Sequence, residues 1–96
     1  MNYKPRAKSE IIVEFTKHIL KVTPENIIDY RLWHIGVSND EERIIAELNT
    51  VSNLLIRKAQ TSRHAREIEE NFLMKGMLNS EGGGVYPTYV YICKLS

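Results

Sequence analysis

One cysteine, Cys93, stands in a chain of 96 residues, which excludes an internal disulfide and any zinc site built from several cysteines. Proline and glycine are sparse, and the single glycine run, Gly82 to Gly84, is too short to make a low-complexity linker. No apolar stretch approaches the roughly 18 residues that cross a bilayer, and the opening MNYKPRAKSE has no apolar core of a secretory signal. Charge of one sign is missing as well: thirteen Lys+Arg face twelve Asp+Glu, for a net +1. Dedicated duplex binders draw affinity from phosphate neutralisation and carry a basic excess; this chain does not. The absences lead us to expect a cytoplasmic protein with no membrane partner.

What is present has globular composition. Hydrophobic residues at 43% and charged residues at 26% exclude wholesale disorder. A chain of this length buries only about 60–65% of its unfolded surface, so one core is all it can build. Lys4, Arg6 and Lys8 read as a flexible, solvated basic leader over residues 1–8, ahead of a single domain over residues 9–96.

Periodicity supplies the elements. Ile11, Ile12, Phe15, Ile19 and Val22 recur at helical spacing, predicting a helix over 9–21 that Pro24 prevents from continuing. Residues 31–37, RLWHIGV, are rich in aromatic and β-branched types and read as a strand. Ser38-Asn39-Asp40-Glu41 matches a capping box for a helix over 39–49 with Ile44, Ile45 and Leu48 inward. A second strand is expected over 51–58, with Leu54 and Ile56 on its buried face. Thr61 or Ser62 caps a longer helix that runs to Leu78 and stops at Asn79, and residues 89–95, YVYICKL, make the last strand. The expectation is an α+β fold, a small three-stranded and mostly antiparallel sheet flanked by helices in the order α-β-α-β-α-β.

One residue on the third helix resists this pattern. With successive residues rotated by about 100°, Ala65 falls at about −40° from Glu69, Phe72 at about −60° and Gly76 at about −20°. Glu69 therefore sits inside the apolar arc. A carboxylate there costs several kcal/mol unless it is paired, protonated or metal-bound. Either it satisfies a nearby Arg, Lys or backbone amide, or it serves a cleft as metal ligand or general base. His34 is a structural strand residue or a base with a pKa near neutrality, and Tyr86, Tyr89 and Tyr91 are half-buried strand residues or site residues, with Tyr89 and Tyr91 on one face. His18 and His64 fall on helix surfaces, and Cys93 is a small buried hydrophobe.

Residues 33–43, WHIGVSNDEER, resemble the second half of the GIY-YIG nuclease motif: a strand ending in Tyr-Ile-Gly, a polar turn, and a helix that opens with an Arg. Residues 65–73, AREIEENFL, look like the later helix that carries that family's metal-binding Glu, at Glu69 here. From Trp33 to Leu95 the chain is similar to small bacterial GIY-YIG-like proteins, through Trp33 to Gly36, Glu69, Gly76-Met77, Gly82 to Gly84 and Tyr89 to Tyr91. The likeness implies Mg²⁺ or Mn²⁺ on Glu69, a nucleophile activated by His34, Tyr91 or Tyr89, and phosphate contacts from Arg43 and Arg31. No Gly-Ile-Tyr strand precedes His34, so residues 89–92 are expected to pair with the His34 strand and take the place of the family's first strand. His34 replaces the second motif tyrosine, and the family's Arg position holds Ile44, with Arg43 one residue and about 100° away. These departures favour a non-catalytic or degenerate interaction or regulatory module with a protein partner over a divalent-metal-dependent nuclease acting on DNA or RNA. Open sheet edges would also admit a homodimer.

Overall fold

The computed structural model describes residues 4–24, 27–48, 52–79 and 84–94. Helix α1 (Lys8–Lys21) is followed by a single 3₁₀ turn at Tyr30–Leu32 and strand β1 (Trp33–Ser38). Then come α2 (Glu41–Leu48), β2 (Ser52–Lys58), α3 (Ser62–Met74), β3 (Leu78–Asn79) and β4 (Tyr89–Lys94). The expected elements at Asn49, Val51, residues 81–83 and Leu95 lie outside the described residues. No helix among the described residues is long and apolar enough to cross a membrane.

The fold is α+β, but among the described residues the sheet is four-stranded and mixed, in the order β2-β4-β1-β3. The three-stranded, mostly antiparallel sheet expected from the sequence is therefore incomplete. β4 pairs antiparallel with both β1 and β2, while β3 joins β1 in parallel at His34↔Leu78 and Ile35↔Asn79. The expected pairing of residues 89–92 with the His34 strand is present, in the register Gly36↔Tyr91 and Ile35↔Ile92.

The unexpected strand exists because α3 stops early. Gly76 has φ 115°, a conformation that glycine adopts without a Cβ penalty. Its N–H donates to the Leu73 carbonyl (3.0 Å), and the Met77 N–H donates to the Phe72 carbonyl (3.1 Å). Those two bonds form a Schellman ending, and they release Leu78 and Asn79 from the helix to pair with β1. At its other end α3 is capped by Thr61, whose hydroxyl accepts from the His64 N–H at 3.1 Å. The cap expected at Ser38 falls two residues later. Asp40 caps α2, accepting from the Glu42 and Arg43 N–H groups at 3.0 and 3.3 Å, while Ser38 Oγ accepts from the Asp40 N–H.

Alternation along the strands divides the core in two. Trp33, Ile35 and Val37 of β1 and Val90 and Ile92 of β4 pack with Ile11, Phe15 and Ile19 of α1 and Ala65, Ile68 and Phe72 of α3. Phe15 and Phe72 meet at 5.8 Å between ring centroids. On the other face Ile44 of α2 packs with Ile56 and Tyr91, flanked by Leu48, Leu54 and Tyr89. Two of the basic N-terminal residues, Arg6 and Lys8, reach neighbouring elements from partly exposed positions. The Arg6 N–H donates to the Lys58 carbonyl (2.9 Å), its guanidinium reaches Glu14 (3.1 Å), and Lys8 reaches Glu67 (3.3 Å).

The Tyr91 ring lies flat across Gly36, and a Cβ there would collide with Tyr91 Cζ and Oη. Because Tyr91 is itself only 7% exposed, the ring cannot swing clear. Gly36→Ala is expected to lower stability by about 1–3 kcal/mol through overpacking, seen as a lower urea midpoint at an unchanged slope.

Candidate functional site

Glu69 lies on the buried side of α3, 8% exposed, with Ala65, Ile68 and Phe72 beside it fully buried. Helical rotation places it there, as the sequence predicts. Its charge is met from the same helix: Arg66, three residues earlier, brings Nη1 to 3.4 Å from Oε1. The other terminal nitrogen of Arg66 donates to the Gly84 carbonyl at 3.1 Å. One guanidinium thus joins the buried carboxylate to the segment leading into β4. Sequence reasoning left Arg66 unnamed, although residues three apart on a helix share a face and that rule alone nominates it.

His34, Tyr89 and Tyr91 lie elsewhere. Gly36 and Tyr91 are directly paired, as are Ser38 and Tyr89, and His34 and Cys93. Paired residues share a face, so this set points away from Trp33, Ile35 and Val37 and toward α2. α3, with Glu69, packs against the opposite face. The sheet therefore stands between the candidate metal ligand and the candidate bases. Lys58 joins the tyrosine face, its Nζ 5.6 Å from the centroid of the Tyr89 ring.

The two arginines do not converge either. Ile44 is buried at 3% exposure, and Arg43, one step around α2, projects outward with Nε 3.0 Å from Glu47 Oε1. That bond, with the nearby charge of Glu47, raises the Arg43 pKa further. Arg31 chelates Asp29 through Nε and Nη2, both at 3.0 Å, and its guanidinium holds the Asp29 carboxyl below the usual carboxylate range. Arg31 precedes β1 and Arg43 follows it, and the six-residue strand between them spans about 20 Å at roughly 3.3 Å per residue. Each candidate phosphate contact already has its own carboxylate.

The motif implies a divalent metal on Glu69, one of the described residues. Among them no three His, Cys, Asp or Glu side chains group closely enough to hold an ion, and the cation at the Glu69 carboxylate is Arg66. The histidines expected on helix surfaces are half-buried. His18 Nε2 donates to the Asn53 carbonyl at 2.9 Å, holding α1 to an irregular stretch of β2 where Asn53 has φ 57°. Cys93 is buried as expected, at 2% exposure, and desolvation pushes its thiol pKa up.

No known protein family, curated protein or solved structure matches this chain.

Arg66→Ala is expected to cost roughly 1–2 kcal/mol, below the about 3–5 of a fully buried pair because the Arg66 side chain is 46% exposed. Adding Glu69→Gln should recover most of that loss, and denaturant melts of the single and double variants measure the coupling. For Cys93 burial holds the folded pKa above the ordinary thiol value. Its contribution is therefore complete below the ordinary thiol pKa and is lost as pH rises toward the folded one. Alkylation of native protein by iodoacetamide should lag that of urea-unfolded protein, and the lag should vanish if the thiol is open to solvent.

Proposed function

We propose that this chain is an interaction or regulatory module built on a GIY-YIG-like scaffold, with a protein as its partner. The observation that carries the reading is the sheet itself, which separates Glu69 from His34, Tyr89 and Tyr91. General base, nucleophile activator and metal ligand must reach one reacting centre within hydrogen-bond distance or through one water, and side chains on opposite faces of a sheet do not share such a centre. The Arg66–Glu69 pair supports the same reading, because it gives the buried carboxylate a structural partner.

The surface supplies an anchor of the kind protein partners use. Val85 and Tyr86 are adjacent, 79% and 74% exposed. They are held between Gly84, whose carbonyl accepts from Arg66, and the fully buried Pro87. An aromatic side chain on a preorganised backbone loses little freedom on binding and is a common interface anchor.

A second reading, a divalent-metal-dependent phosphodiesterase on DNA or RNA, draws on the motif likeness and on the common face of His34, Tyr89, Tyr91 and Lys58. Plasmid nicking with Mg²⁺ or Mn²⁺ separates the two. The module reading expects no metal-dependent cleavage from the wild type and no heat when Mn²⁺ is titrated into the protein. Cleavage abolished by Glu69→Ala would establish the nuclease. Cleavage that survives that substitution would overturn the module reading and remove Glu69 from the chemistry.

A further inference from the structure

The sheet has two edges, and they are treated differently. β3 contributes two residues, whereas β2 is seven residues long and offers the long edge to which another strand could add. The Ala59 N–H donates to the Thr88 carbonyl at 2.7 Å. Since bonded residues alternate along an antiparallel ladder, Ala59, Arg57 and Leu55 turn their backbone groups to β4, and Lys58 and Ile56 turn theirs outward.

Both outward carbonyls are occupied. The Lys58 carbonyl accepts from the Arg6 N–H at 2.9 Å, in a parallel bridge between Arg6 and Ala59. The Ile56 carbonyl accepts from the Arg57 guanidinium at 2.9 Å. One carboxylate holds both blockers: Glu14 of α1 is 3.1 Å from Arg6 and 3.3 Å from Arg57. Further along, His18 occupies the Asn53 carbonyl where the β2–β4 register shifts.

We propose that residues 4–7 are a guard strap on the β2 edge, locked with Arg57 onto Glu14, and that removing the guard makes the chain pair with a second copy through β2. The occupant follows from the chemistry of the freed groups. An exposed row of strand carbonyls takes backbone N–H donors, and the same edge on another copy offers donors and acceptors in a self-complementary, two-fold arrangement.

The test uses the full chain by light scattering coupled to size exclusion, from micromolar to millimolar concentration. Wild type and Arg6→Ala, which keeps the main-chain donor, are expected to stay monomeric. Arg6→Pro combined with Arg57→Ala removes both blockers. It should show about a twofold rise in weight-average mass with concentration, and slower hydrogen exchange at Ile56 and Lys58 in the associated form. A folded double variant that remains monomeric overturns the proposal, as does association that leaves β2 exchange unchanged. Should the double variant fail to fold by circular dichroism, Arg6→Pro alone is read by the same criteria, because Arg6 is an exposed residue whose change disturbs no buried side chain.

Discussion

The antiparallel pairing of β1 with β4 is the constraint from which the rest of the molecule follows. It brings Trp33, Ile35 and Val37 alongside Val90 and Ile92, giving α1 and α3 a continuous apolar surface to cover. The intervening residues, His34, Gly36 and Ser38 with Tyr89, Tyr91 and Cys93, go to the face of α2. A slip of one residue would exchange the two sets and expose the core. Gly36 guards against that slip, because it alone leaves room for the ring of Tyr91.

This division governs the chemistry open to the chain. A buried carboxylate on α3 invites a catalytic reading, but it faces the α1 side of the sheet and finds its counter-charge one helical turn away. An ion pair of this kind adds little net stability, because desolvation offsets much of the attraction. Its consequence here is geometric: Arg66 reaches both Glu69 and the Gly84 backbone, joining α3 to the approach to β4. Tyr89 and Tyr91 pack with α2 on the other face, which alternation assigns to His34 as well, and Lys58 borders them.

The balanced charge of the sequence has a counterpart in the structure, where basic side chains are matched with carboxylates. Arg6 and Arg57 share Glu14, Lys8 and Arg63 share Glu67, and Arg31, Arg43 and Arg66 each have their own acid. Exposed pairs contribute about 0–1 kcal/mol each, so what they supply is placement. They draw the N-terminal segment against β2 and α1 against α3, in a chain whose sheet would otherwise present a long bare edge.

Local pattern determined much of this protein. The stripe from Ile11 to Ile19, the alternation of the two central strands, the Thr61 cap and the burial of Glu69 all follow from periods of 3.6 and 2 residues acting within one element. The end of α3 was not legible: the pattern carried the helix through Gly76 to Asn79, and only the bonds to Leu73 and Phe72 show where it stops. Apart from the pairing of the last strand with the His34 strand, what joined one element to another was decided by the tertiary structure. A resemblance to a known motif suggested Glu69, His34 and Tyr91 as partners, yet which side of the sheet each element packs on depends on how several apolar faces are buried at once. No single stretch of sequence encodes that choice, because the free energy that makes it is shared among all the surfaces brought together.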